Sequence, residues 1–513
     1  MGAALSSSTP IAVIGAGAMG AGIAQVAASA GHPVKLLDNR PGAAAQAVQG
    51  IVAQLNRLAE KGKLTAQAAQ DTSARLSAAA QLSDLADCGL VIEAIVEDLQ
   101  AKRKLFLDLE ATVSKDCSLA SNTSSISITA IGAVLAQPGR LAGLHFFNPA
   151  PLMALVEIVS GLGTEREIAE RLYASAAAWG KTPVHTRSTP GFIVNRVARP
   201  YYAEALRLLQ EGAADPATMD ACMREAGGFR MGPFELMDLI GHDVNFSVTR
   251  SVWNAFFNDQ RFLPSLIQQE LVDAGFLGRK NGRGFYDYRE GAAAPTTKTE
   301  PQSQAMAALK TARVVICGES AAAQALSARL QSAGVASVAG PSHDGRIAEV
   351  SGAVLYVTDG RTATRRAAAQ SDRNVVLIDL ALDYSKAKRL AVSVADQCTA
   401  DAAAAAIGLL QAAGYAVSRF SDVPGLAVMR TVAMLANEAA DAVNQGVCDA
   451  PSVDAAMRLG VNYPAGPLAW ADQIGLGQIR EVLGHLADSY GEDRYRISPL
   501  IQQRAYAGKG FHV

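Results

Sequence analysis

The sequence predicts an α/β domain with a mostly parallel sheet and an all-α domain. A degenerate second α/β domain and a second all-α domain follow. Three observations predict this. Short apolar runs alternate with helical patterns up to about residue 189, as in a doubly wound sheet. The pattern turns helical after Thr189-Pro190-Gly191. The second half then repeats the first at a fixed spacing. The length of 513 residues leaves room for about three or four domains.

IAVIG, from Ile11, reads as the first strand, and a helix runs from about Met19 to Ala30. VKLLD is a second strand ending at Asp38, and an Ala/Gln-rich helical stretch spans Pro41 to about Lys61. LVIEA (90–94), SLAS (118–121) and RLAGLHF (140–146) read as further strands with helical patterns between them. These make the α/β domain, residues 1–189. Residues 190–288 are helical, with Ile193, Val197, Tyr201 and Leu208 at helical spacing. The segment from Arg289 (REGAAAPTTKTEPQSQ) is poor in large apolar residues, so 289–310 reads as a linker.

Beyond the linker, Pro424-Gly425 echoes Pro190-Gly191, and Gly466-Pro467 echoes Gly232-Pro233. Asp454 matches Asp220 and Gly475 matches Gly241, all at an offset of 234. A duplicated helical domain, 421–513, follows. The stretch ARVVICGESAAAQALSARLQSAG mimics IAVIGAGAMGAGIAQVAASAG with most of the turn glycines lost. Residues 311–420 therefore read as a worn copy of the α/β domain, and the chain as an active half followed by a structural half.

Half the residues are hydrophobic and 18% are charged, which suits packed cores and excludes a wholly disordered chain. The net charge of −2 gives no general attraction to nucleic acid or an anionic membrane. A local basic patch could still take a phosphorylated small molecule. The six cysteines (88, 117, 222, 317, 398, 448) form no CxxC pair. That argues against a zinc site or disulfide framework and fits reduced thiols in a cytoplasm, so no metal is expected. No apolar run approaches the roughly 18–20 residues of a membrane span, and the start lacks a signal-peptide pattern. MGAALS formally matches a myristoylation pattern, but nothing else in the sequence points to a membrane.

Gly15-Ala16-Gly17-Ala18-Met19-Gly20 is GxGxxG between a strand and a helix, and Asp38 closes the next strand 18 residues beyond Gly20. This is the full context of a Rossmann dinucleotide site. Gly15 permits the tight turn, Gly17 admits the pyrophosphate, and Gly20 lets the helix pack on the strand. The helix N-terminus, opening at Ala18 and Met19, offers N–H groups and a positive dipole end to the phosphates. Asp38 suits the ribose hydroxyls and repels a 2′-phosphate, which favours NAD over NADP. Arg40 is a countervailing cation.

His145, in HFFNP at a strand end, and Glu157, twelve residues on in ALVEIV, suggest an acid–base pair. Ligands of open α/β sheets bind outside the carboxyl ends of the strands. There a histidine can take a proton from an alcohol while a carboxylate orients the ring. By spacing alone, a satisfied structural histidine is the commoner reading.

GAGAMG, EAIVEDLQAK, SNTSSISI, GLHFFNP, LVEIV, TPGFIVNR and GPFELMDLIG occur in this order. Together they resemble the 3-hydroxyacyl-CoA dehydrogenase family over about 10–288, with 421–513 similar to a second copy of its C-terminal domain. The two-copy layout is similar to long bacterial members that act on 3-hydroxyadipyl-CoA, in phenylacetate breakdown, or on 3-hydroxybutyryl-CoA. The resemblance implies a cytoplasmic enzyme that oxidises (S)-3-hydroxyacyl-CoA to 3-oxoacyl-CoA with NAD, reversibly. It implies His145 as general base, Glu157 as its partner, Ser124 on the substrate oxygen or thioester, and Asn195 completing the site. It places Glu97, Lys102 and Asn122 at the nicotinamide, with Asn148 assisting and Lys280 on the cofactor side, and Lys61 near the CoA phosphates. Ser124 and Asn195 also suit turns or caps, and Lys61 and Lys280 also suit solvated surface positions. His185 and His242 read as structural or solvent-facing, although His242 could line an acyl tunnel.

In the second half Met429 replaces Asn195. RLAVSVAD (389–396), paralleling RLAGLHFF, puts Val394 in the place of His145. One active site per chain is expected. The resemblance also implies that the second helical copy packs on the first, as two subunits pair in shorter relatives. A homodimer of whole chains is expected besides. A non-CoA dehydrogenase of the L-gulonate type and a crystallin-like NAD-binding structural protein are the alternatives. A dicarboxylic substrate would need a cation at the tunnel end, for which Arg230, Arg250 and Arg279 are candidates by composition.

Overall fold

The computed structural model describes residues 2–309, 312–341 and 344–512. The expected border between linker and second α/β domain, at 310 and 311, lies outside the described residues. The chain forms two compact units, Met1–Arg196 with Gln445–Val461, and Val197–Asn444 with Asn462–Val513.

The first unit is built on β1 (Ile11–Ile14), β2 (Val34–Leu37), β3 (Leu76–Ala78), β4 (Leu90–Glu93), β5 (Ser118–Ser121), β6 (Leu141–Phe146), β7 (Leu155–Ser160) and β8 (Thr182–Arg187). The sheet order is β3-β2-β1-β4-β5-β6-β7-β8. β1 to β6 run parallel; β7 lies antiparallel to β6 and parallel to β8. Ile11 and Val13 face one core, and Ala12 and Ile14 face the other. Burial on both faces explains why these strands are continuous apolar runs rather than alternating ones. Helix Leu99–Thr112 starts where Asp98 Oδ1 accepts the Ala101 N–H at 2.8 Å, a side-chain cap. The helix Ala66–Ala74 and the three-residue edge strand β3 have no counterpart among the expected elements. β3 buries only Leu76, too little for an apolar pattern.

The second unit holds β9 (Val314–Cys317), β10 (Val338–Gly340), β11 (Arg346–Val350), β12 (Ala353–Val357), β13 (Val375–Ile378), β14 (Arg389–Val394) and β15 (Ala416–Arg419). Their order is β10-β9-β11-β12-β13-β14-β15. Where β1 pairs directly with β4, the antiparallel β11 is inserted between β9 and β12. The helix after β9 is capped by Ser320, whose hydroxyl accepts the Ala323 N–H at 3.3 Å. The corresponding helix of the first sheet starts at Gly17 with no side-chain cap.

The offset of 234 reaches into the sheets. β14 lies 234 residues after β7, and helix Ala400–Ala412 lies 234 after Arg166–Ala178. The register is shared: Leu144 faces Ile158, and Ile378 faces Val392. This corrects the expected alignment of RLAVSVAD. That segment is the counterpart of β7, not of β6, so Val394 does not stand at the position of His145. Asp379 does, and Ala391 takes the position of Glu157.

The helical copies are exchanged between the units. Helix Ala450–Gly460 of the second copy lies in the first unit against β7 and β8, and the Arg187 N–H donates to the Val447 carbonyl at 2.9 Å. Its counterpart, Pro216–Glu225 of the first copy, lies in the second unit against β14, where Arg389 Nε meets Glu225 at 3.1 Å. Within the second unit, helices Arg199–Gln210 and Val428–Asn444 pack on each other. Arg494 Nε meets Glu204 at 3.0 Å, and Arg261 Nη1 meets the equivalent Glu438 at 3.2 Å, all buried. Two copies thus contact each other reciprocally, as in an isologous dimer, inside one chain.

Candidate active site

The glycine turn behaves as its chemistry demands. A Cβ on Gly20 would overlap the Gly15 carbonyl oxygen, so only glycine lets this helix sit on β1. Gly15 has φ of 105°, a conformation costly for any other residue. A Cβ on Gly17, by contrast, would meet nothing within 4 Å. The open face of Gly17 and the uncapped N–H groups behind it are a cradle for an anion. Ala18 and Met19 begin the helix there.

A cleft of about 710 Å³ adjoins this turn, lined among others by Gly15, Gly17, Asp38, Arg40, Ile95 and Leu105. Asp38 Oδ2 accepts the Ala16 N–H at 2.7 Å, which ties β2 to the turn. Arg40 folds back on Asp38, with Nε 3.0 Å from Oδ1 and Nη2 3.2 Å from Oδ2. That guanidinium, with the Ala16 amide, holds the Asp38 carboxyl down to about 2 although burial opposes it. Arg40 is thereby engaged by an ionised carboxylate. The turn, the cleft and Asp38 fit a dinucleotide.

The antiparallel step from β6 to β7 sets His145 directly opposite Glu157. His145 Nδ1 lies 2.6 Å from Glu157 Oε2, and both residues are buried. Phe147 and Phe192 pack on the imidazole at centroid distances of 4.5 and 5.8 Å. The other carboxylate oxygen, Oε1, accepts the N–H groups of Ile193 and Val194, each at 3.0 Å. Glu157 therefore anchors the turn after Pro190, where Phe192 has φ of 48°, as well as the ring. With Nδ1–H donated to Glu157, Nε2 is left as a base.

SNTSS follows β5. Glu97 Oε1 accepts from Thr123 Oγ1 at 2.6 Å, Ser125 Oγ at 2.9 Å and the N–H groups of Ser124 and Ser125 at 3.0 Å. The Ser124 hydroxyl is 3.4 Å from the same oxygen. Burial works against the charge of Glu97, but Lys102 and these donors outweigh it, and its carboxyl lies below the usual range. Lys102 is itself 1% exposed, with Nζ 2.6 Å from Glu93 and 3.2 Å from Glu97. It braces Glu97 from behind. Glu93, which also accepts from Ser121 Oγ at 2.6 Å, was not singled out in the sequence; its signal was a charged residue ending the apolar run LVIE. Asn122 Oδ1 accepts the Phe146 N–H at 2.8 Å, which joins β5 to the strand that bears His145. Asn195 Nδ2 lies 3.5 Å from the Ser124 carbonyl.

The structure thus gathers His145, Glu157, Asn122, Ser124, Glu97, Lys102 and Asn195 in the first unit. Asn148 is exposed just past β6. Lys61 is exposed at the end of helix Ala43–Glu60. Lys280 belongs to the second unit, where it pairs with Asp243. His185 stacks on Tyr173, and burial lowers its pKa. His242 is fully buried, with Nε2 2.7 Å from Asp238. Arg230, Arg250 and Arg279 are all exposed.

A doubly wound sheet with a dinucleotide turn, joined to a buried histidine–carboxylate pair beyond its carboxyl edge, belongs to the class of nicotinamide-dependent dehydrogenases. Comparison with known proteins narrows this. Residues 10–189 match the 3-hydroxyacyl-CoA dehydrogenase NAD-binding domain, and 191–288 and 425–510 match the C-terminal domain of the same family. Residues 355–424 match the 3-hydroxybutyryl-CoA dehydrogenase reduced Rossmann-fold domain. A 3-hydroxyadipyl-CoA dehydrogenase from Escherichia coli is 46% identical over 98% of both chains. A crystal structure of 3-hydroxybutyryl-CoA dehydrogenase from Escherichia coli is 45% identical, with a TM-score of 0.88 over 98% of this chain and 99% of that one. The (S)-3-hydroxybutyryl-CoA dehydrogenase from Ralstonia eutropha is 38% identical, with a TM-score of 0.53 over 55% of this chain and 99% of that one. The chain belongs to the 3-hydroxyacyl-CoA dehydrogenase family, and its cofactor is NAD. No helix among the described residues is long and apolar enough to cross a membrane.

Proposed function

We propose that the chain catalyses (S)-3-hydroxyacyl-CoA + NAD⁺ to 3-oxoacyl-CoA + NADH + H⁺, reversibly. The observation that carries this reading is the His145–Glu157 pair at the carboxyl end of β6, 2.6 Å apart and buried. NAD⁺, when bound, supplies the hydride acceptor. His145 Nε2 takes the proton of the 3-hydroxyl as the C–H bond breaks, and Glu157 stabilises the imidazolium formed. In reduction His145 returns that proton. The Ser124 hydroxyl hydrogen-bonds the substrate oxygen, and Asn195 closes the same side. Glu97, ionised and braced by Lys102, orients the nicotinamide amide together with Asn122, and Asn148 lies at the rim. Lys61 and Lys280 act at phosphates by charge alone.

The domain limits 1–189, 190–288, 289–310, 311–420 and 421–513 are part of this proposal. A cytoplasmic location and a homodimer of whole chains belong to it too. The relatives carry two different acyl groups in their names, a four-carbon one and a dicarboxylic six-carbon one, and either thioester is a candidate substrate.

The test is NADH formation from NAD⁺ with 3-hydroxybutyryl-CoA and 3-hydroxyadipyl-CoA, using wild type and His145→Ala. Turnover by wild type with a loss of at least about 10³-fold in the variant, NAD affinity being kept, is expected. Undiminished turnover in His145→Ala removes the assignment of the base. Absence of turnover in wild type that binds NAD removes the reaction.

A further inference from the structure

The duplication supplies its own control. Positions needed only to hold the helical fold keep their residue at the offset of 234: Arg196 and Arg430, Glu204 and Glu438, Asp220 and Asp454. A buried polar residue of the first copy that becomes apolar in the second is not required by the fold. Arg199, Tyr202 and Thr249 are such a set, for the second copy has Ala433, Ala436 and Leu483 there, all fully buried.

In the first copy these three form one cluster. Arg199 is 5% exposed, its Nη1 donates to Thr249 Oγ1 at 3.0 Å, and its guanidinium carbon sits 4.9 Å from the centre of the Tyr202 ring. The Thr249 hydroxyl in turn donates to the Asn245 carbonyl at 3.0 Å, which fixes its lone pairs toward the arginine. The cluster lines a cavity of about 810 Å³. Arg207 and Arg494 line it too, bound to Glu492 and to Glu204. Three arginines against two glutamates, Glu211 and Glu492, leave this wall with one net positive charge. Trp253 and Ser265 also line it, and the Trp253 indole N–H and the Ser265 hydroxyl are buried without a hydrogen-bond partner. Unsatisfied buried donors beside a buried guanidinium call for a group rich in acceptors and negative in charge.

Arg199 follows Asn195 by four residues, and four residues span at most about 14 Å of chain. A cation so placed along the chain is within reach of the distal end of a short acyl group whose reacting carbon lies at the Asn195 side of the site.

We infer that Arg199, held by Thr249 and Tyr202, is the specificity residue for the far end of the acyl group, and that it takes a carboxylate. The preferred substrate class is then a dicarboxylic 3-hydroxyacyl-CoA. This rests on the reaction proposed above. It also replaces the exposed Arg230, Arg250 and Arg279 as the expected cation.

The experiment compares kcat/KM for 3-hydroxyadipyl-CoA and 3-hydroxyhexanoyl-CoA, which share a six-carbon chain and differ at C6, in wild type, Arg199→Ala and Arg199→Lys. Wild type should prefer the dicarboxylic thioester. Arg199→Ala should lower the adipyl-to-hexanoyl ratio about 10- to 100-fold, the range for one charge-assisted hydrogen-bonded pair. Arg199→Lys, which keeps the charge but not the planar fork, should give an intermediate ratio. An unchanged ratio in both variants, or a wild type that prefers the hexanoyl thioester, overturns the inference while leaving the reaction standing. If Arg199→Ala does not fold, the ratio in Arg199→Lys decides. Wild type that turns over neither thioester overturns the reaction, and the inference with it.

Discussion

His145 and Asp379 occupy the same position in two copies of one strand pair, and the second carries out only half the work of the first site. In the first copy Glu157 reaches across from β7 to hold both His145 and the N–H groups of Ile193 and Val194. In the second, Asp379 accepts the N–H groups of Ala427, Val428 and Met429 directly, at 2.9, 2.7 and 3.0 Å, and Ala391 stands opposite. The anchoring of the turn survives without the acid–base pair. The two functions of Glu157 are therefore separable.

Glu157→Gln should keep an acceptor for the turn but lose the charge that stabilises the imidazolium. We expect kcat to fall by at least about 10²-fold with a stability loss of only about 1 kcal/mol. Glu157→Ala should lose both, leaving two buried N–H groups unpaired at about 2–4 kcal/mol. Urea unfolding beside steady-state kinetics reads the split. Equal destabilisation by both variants would defeat the two-function view.

Asp379→Ala should destabilise the fold by about 2–4 kcal/mol while kcat per folded molecule stays that of wild type, because the second copy carries no acid–base pair. A tenfold fall in kcat of correctly folded protein would show that the second half reaches the chemistry.

Gly17→Ala and Gly20→Ala should fail differently. The first places a methyl in open space beside the helix N-terminus, so the protein folds and binds NAD at least about tenfold more weakly. The second collides with the Gly15 carbonyl, and the folded yield drops. Calorimetric melting and NAD titration of both variants check this. Normal NAD affinity in Gly17→Ala would count against the cradle.

Arg40 and the Ala16 amide depress the Asp38 carboxyl to about 2, against an unfolded value near 4. A depressed folded pKa stabilises above the unfolded value and loses that contribution as pH falls from about 4 through 2. NAD affinity should thus show no step from Asp38 between pH 5 and 9. Arg40→Ala should move the acid-side loss upward toward pH 4. An affinity step near pH 6 that Asp38→Asn abolishes would contradict the assignment.

Removing Arg494 or Arg261 should each cost about 3–5 kcal/mol, since a buried carboxylate loses part of its compensation at Glu204 or at Glu438 and Asp441. Arg430 also holds Glu204, at 2.8 Å, so Arg494→Ala should be the milder of the two. Chemical denaturation of the pair of variants ranks them. The reverse order would mean that Arg430 contributes little.

Much of this site was legible because glycine turns and strand-end charges are local signals. GAGAMG, Asp38, His145 and Glu157 could each be read from their neighbours. The register of the second sheet could not, because RLAVSVAD shares its first three letters with RLAGLHFF, and only strand pairing shows that it faces β13 as β7 faces β6. Lys102 illustrates a second limit. A lysine on a helix with charged neighbours reads as a surface residue or a ligand contact, yet two glutamates from separate stretches enclose it. Arg199 was passed over for the same reason, since its burial depends on Thr249, fifty residues away.

The exchange of helices has a consequence for the gene. The first 288 residues resemble a complete short relative, but the helix that lies on β7 and β8 is encoded from codon 450. A chain ended by a stop codon at 289 would expose those strands and would have to borrow the missing helix from a second molecule. Assembly, unimolecular in the full chain, would then depend on concentration and fail on dilution.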